Sequence, residues 1–157
     1  MTPKIGITDA NRQAVALELA KLLADEYVLY TKTRNAHWNI EGPDFFEKHK
    51  FFEMQFEQLD EIIDKVAERI RTVGHYTSSS LASFLKLTHL SETPAPKNDS
   101  QAHLKALLSD HESIIIYCRE NIHQIAIEYH DFGTSDFITG LMEAHEKMAF
   151  FLRSHLK

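Results

Sequence analysis

The chain is short of cysteine, glycine, proline and positive charge. Among 157 residues there is one cysteine, Cys118, so no disulfide forms within the chain. That fits a reducing compartment. Glycine is scarce at 5 and proline at 4. Their scarcity disfavours short strands joined by tight turns and favours long helices. No apolar run approaches the roughly 20 residues that a membrane helix needs. The opening stretch MTPKIGITDANRQAV lacks the apolar centre of a secretory signal. A cytosolic protein with no membrane contact is the expectation. Lys and Arg number 17 against 23 Asp and Glu, and the net charge is -6 with histidine neutral. A general binder of phosphate backbones needs clustered Lys and Arg, so that class is disfavoured. An acidic body attracts cations instead.

What is present is helical periodicity. Thr8 or Asp9 caps a first helix from near Ala10 to about Trp38, with Val15, Leu19, Leu22, Leu23, Glu26, Tyr30 and Thr33 on one face. Pro43 suits the first position of a second helix, which Gly74 stops. Residues 75–100 are irregular, with a short helix around Leu81–Leu87. A third long helix covers roughly Gln101–Tyr129, and the HDFGTS stretch breaks it. Ser135 is the expected cap of the fourth. The long link between the second and third helices permits a crossover. The pattern is all-α: a ferritin-like four-helix bundle, one domain over 1–157 with a short flexible tail at 1–8.

The stretch NAHWNIEGPDFFEKHKFFE puts two histidines beside a bend. His49 and Glu53 are four residues apart, as are Asp64 and Glu68, so each pair shares one helix face. Either pair alone also reads as an ordinary solvated face. His49 and Asp64 are separated by about 22 Å along the helix, so one chain cannot bring both pairs to one ion. An antiparallel partner helix can. His49 with Glu68 and Glu53 with Asp64 are each symmetric about a two-fold axis near Gln58 and Leu59, a consequence of their equal spacing. A hairpin at Gly42-Pro43 brings His37 level with His49. Two imidazoles and three carboxylates suit iron, manganese or zinc, not a thiolate-rich structural zinc site. A buried di-iron centre needs two Glu-x-x-His motifs, and only Glu120–His123 is present. Trp38 adjoins His37, as an interface aromatic or as a redox partner. Lys48 and Asp60 are candidates to orient the imidazoles, with surface roles as the alternative.

NAHWNIEGPDFFEKHKFFE followed by LDEIIDKVAERI resembles the Dps family, mini-ferritins named as DNA-binding proteins from starved cells. The resemblance covers most of the chain. It implies a hollow shell of twelve subunits in which iron(II) is oxidised, preferably by hydrogen peroxide, and stored as ferric mineral. It implies metal binding by His37, His49 and Glu53 of one subunit with Asp64 and Glu68 of its two-fold mate. Many members carry aspartate where this chain has Glu53. Trp38 matches a tryptophan proposed in the family as electron donor or radical trap. Acidic pores guide iron into such shells, and Asp131 and Asp136 are the candidates here, with helix capping and loop solvation as alternatives. Family members that bind DNA use Lys/Arg-rich tails. This chain offers Lys4, Arg12 and the terminal RSHLK, so weak or absent DNA binding is expected. A nucleoid-compacting protein with incidental metal binding is the rival reading. A third is a helical interaction protein that binds no metal.

Overall fold

Thr8 fixes where the first helix begins: its hydroxyl accepts the Asn11 N–H at 3.2 Å. The computed structural model describes residues 3–156. Residues 1 and 2 of the expected tail, and the terminal cation Lys157, lie outside the described residues. Helix α1 spans Asp9–Asn39, α2 Phe45–Thr72, α3 Leu81–Leu87, α4 Ser100–Ile127 and α5 Phe132–Ser154. Among the described residues there is no strand. The four long helices form two hairpins, α1 with α2 and α4 with α5, which close on one core. The short α3 lies in the crossover, against α1.

The apolar stripes expected from the sequence meet in that core. Leu19, Leu22, Leu29, Phe52, Leu59, Ile70, Leu104 and Ile114 are fully buried. Gly74 ends α2 as expected, in the left-handed region at φ 96°. The His75 N–H bonds the Ile70 carbonyl and the Gly74 N–H bonds that of Arg71, a Schellman stop. A Cβ at Gly74 would meet Pro3 at 2.6 Å. The crossover is strapped down by Asp25, buried in α1, which accepts from the Thr88 hydroxyl and the His89 N–H, both at 2.6 Å. Lys32 holds the same strap through the Ser91 carbonyl at 3.0 Å and pairs with Asp110 at 2.5 Å.

Two helix starts differ from expectation. Helix α2 begins at Phe45, not Pro43, because the chain still turns at Gly42, φ 131°. Helix α5 begins at Phe132 with Asp131 as cap, not Ser135. The Asp131 carboxylate takes the Thr134 N–H at 2.8 Å, whereas the Ser135 hydroxyl donates to the Ile122 carbonyl at 3.0 Å. The reversal between α4 and α5 uses His130 at φ 56°, and Gly133 lies inside α5.

Candidate metal centre

The turn at 40–44 lays the end of α1 against the start of α2. His37, in the last turn of α1, and His49, in the second turn of α2, then stack face to face, ring centres 3.7 Å apart. Each ring is held by the other's backbone. His37 Nδ1 lies 2.9 Å from the His49 carbonyl, and His49 Nδ1 lies 2.8 Å from the His37 carbonyl. A carbonyl only accepts, so both Nδ1 atoms carry hydrogen. In the neutral rings both Nε2 atoms therefore keep a free lone pair, the tautomer a metal ligand needs. Phe56 stands edge-on to His37 at 5.2 Å, and Phe45 lies 5.2 Å from His49.

Glu53 sits one turn after His49 on the same face. Its carboxylate pairs with Lys50 at 2.6 Å. That bond, with weaker help from the two imidazoles, holds the carboxyl below its ordinary value, so it is ionised and ready for a cation. Lys48, a candidate orienting group, instead pairs with Asp44 at 3.8 Å. Asp44 also takes the Ser100 hydroxyl at 2.5 Å, which ties the start of α2 to the start of α4.

Asp64 and Glu68 lie further along α2, both exposed. One chain does not bring the five residues together: among the described residues no group of three or more His, Cys, Asp or Glu could hold an ion. Around the histidine end four large apolar side chains are exposed among charged ones such as Glu47 and Lys50. Trp38 is 61% exposed, Phe46 71%, Phe45 45% and Met54 43%. Phe52 of the same run is fully buried, so the aromatics divide between core and surface. Asp60 and Asp64 line a cavity beside Thr77 and Ser78 of the crossover.

Asp131 is buried and committed. It caps α5, takes the Thr134 hydroxyl at 2.6 Å and pairs with Arg69 at 3.2 Å. Asp136, one turn on, is exposed. Of the tail cations, Arg12 is buried; it pairs with Asp9 and donates to the Val73 carbonyl at 3.2 Å. Glu120 and His123 are both exposed on α4, so the lone Glu-x-x-His is a surface feature.

The bundle interior holds a polar row the sequence reading did not single out. His145 Nε2 meets Glu26 Oε1 at 2.9 Å, and His145 Nδ1 meets His111 Nδ1 at 2.9 Å. All three side chains are fully buried. Burial, then the neighbouring His145, pushes His111 well below the ordinary histidine value. The signal was present: Glu26 interrupts the buried stripe of α1, and both histidines stand at helical spacing between core residues. Cys118 is buried as well, its thiol pushed up to about 12 by burial.

Residues 16–157 match the ferritin-like domain family. A low temperature-induced protein of Nostoc sp. is 41% identical to this chain, over 98% of it and 86% of the relative. DNA protection during starvation protein 2 of Bacillus anthracis is 32% identical, over 93% and 98%. A solved Dps protein from Vibrio cholerae O1, described as one of the ferritin-like diiron-carboxylate proteins, superposes with a TM-score of 0.92. It is 32% identical, over 99% of this chain and 97% of that one.

Proposed function

This chain belongs to the Dps family of ferritin-like proteins, and from that premise we propose that it is a ferroxidase working at centres shared between two-fold-related subunits. Membership supports iron storage at the level of the family. The observation that carries the finer reading is the reciprocal Nδ1–carbonyl pair. It leaves the Nε2 atoms of His37 and His49 free, with an ionised Glu53 one helical turn after His49. Asp64 and Glu68, exposed on the same helix, complete the set when an antiparallel mate meets α2 near Gln58. Trp38, Phe45, Phe46 and Met54 are the exposed apolar side chains such a mate would cover.

Iron(II) is the substrate. Imidazoles and carboxylates bind it, and the anionic ligands favour the ferric state as charge builds. Hydrogen peroxide takes one electron from each of two iron(II) ions. With two protons from solvent, its O–O bond breaks to give two waters and two iron(III). Glu53 exchanges Lys50 for the metal, and the backbone carbonyls keep both rings aimed throughout. The ferric product is stored within a shell of twelve subunits, entered past Asp136. Trp38 borders the centre as an electron donor in reserve.

Anaerobic iron(II) titration followed by peroxide tests the reading. Ferric absorbance is expected to rise within seconds in the wild type, with two iron(II) consumed per peroxide. His37→Ala and Asp64→Ala are each expected to lose the fast phase. An unchanged rate in both would end the site assignment.

A further inference from the structure

Arg34 lies one turn before His37 and Trp38, and its guanidinium is ringed by aromatics. Its central carbon is 4.6 Å from the Phe56 ring centre, 5.0 Å from that of Trp38 and 5.6 Å from that of Tyr30. One N–H donates to the Tyr30 hydroxyl at 2.8 Å. Its Nε is buried without an acceptor. Within one chain, three rings and one phenol oxygen contact it. Phe56 carries the contact on to His37, edge to face at 5.2 Å.

A cation over an aromatic face is attracted to the electron-rich neutral ring. Taking an electron from that ring turns attraction into repulsion between two positive charges. We infer that Arg34 is a positioning residue that holds Trp38 beside the centre and makes it hard to oxidise, so that peroxide draws its electrons from iron first. The purpose rests on the ferroxidase reading; the electrostatic effect does not. The restrained step is the one available when a single iron(II) is bound. Iron(II) and Trp38 each give one electron to hydrogen peroxide. The O–O bond breaks, two protons enter from solvent and two waters leave. Trp38 loses its indole proton to solvent and remains as a neutral radical. Without Arg34 this step competes earlier with delivery of a second iron.

Trp38 is the one tryptophan in the chain, so its oxidation reports a single position. The test uses the metal-free, assembled protein and a one-electron photo-oxidant, ruthenium tris-bipyridine with persulfate. Oxidised Trp38 is counted by peptide mass spectrometry against light dose. Arg34→Met is expected to oxidise about two- to fivefold faster than wild type, the factor matching a surface cation–π contact. Arg34→Lys keeps a cation that can stand over the ring face and is expected to stay within about twofold of wild type. Should the Met variant fold poorly by circular dichroism, Arg34→Gln, neutral and polar, replaces it with the same expectation. Neutral variants no faster than wild type overturn the inference. So does a Lys variant as fast as the neutral ones, since shape rather than charge would then matter. A wild type that oxidises no iron removes the ferroxidase reading, whereas the photo-oxidation result judges Arg34 alone.

Discussion

Replacing Glu26 with leucine keeps the volume but strips the acceptor from the end of the buried polar row. His145 Nε2 then loses its partner at 2.9 Å, in a place with no solvent contact. Stranding a buried donor costs about 1–3 kcal/mol. For a chain of this size each kcal/mol lowers the melting temperature by about 2–4 °C. The expected fall is therefore about 2–12 °C. Glu26→Gln keeps a carbonyl for the same N–H and is expected to lose less than half as much. Differential scanning calorimetry at one fixed subunit concentration reads this out, because assembly adds its own stability. A Glu26→Leu protein that melts at or above the wild type would refute the reasoning. The row would then be a burden that leucine relieves, not a contact that holds α1 to α5.

The same row sets an acid limit. His111 is held neutral by burial and by His145. The unfolded chain, with histidine near about 6.5, takes up the proton first as pH falls. Stability is therefore full above about 6.5 and declines below it, toward the folded value. His111→Leu is expected to flatten that decline in melting curves taken across the range. Asp131→Ala removes a cap with two bonds to Thr134 and a pair with Arg69. It is expected to cost about 1–2 kcal/mol in urea unfolding, while Asp136→Asn leaves stability unchanged and slows iron uptake. In a low-salt gel shift the protein is expected to leave DNA unretarded near neutral pH, since Arg12 is buried and the body is acidic. Clear stoichiometric retardation would reverse that expectation.

Much of this molecule was legible because its helices are long and plainly periodic. The stripe from Val15 to Thr33 and the short Leu81–Leu87 segment stand where the sequence put them. The start of α5 did not, because Asp131 and Ser135 are both good caps. Only the three-dimensional meeting of Asp131 with Thr134 and Arg69 decides between them. At the candidate centre the spacing of His49 and Glu53, and the bend that levels His37 with His49, were readable. The ring orientation was not, since it depends on each imidazole bonding the other's carbonyl across the hairpin. The interior row escaped for a different reason. Histidine on a helix is usually solvated or partly buried, and burial of His111 and His145 depends on Glu26 from a helix far away in sequence.

The shared centre is tested most directly by mixing two inactive proteins. His37→Ala and Asp64→Ala subunits are dissociated together and reassembled, then supplied with iron(II) and peroxide. If each centre takes His37 from one subunit and Asp64 from the other, every mixed dimer has one intact centre and one doubly damaged centre. Random pairing makes about half the dimers mixed, so about a quarter of wild-type activity is expected from two proteins that have none alone. No recovery in reassembled mixtures, with assembly confirmed by light scattering, would contradict the intersubunit site.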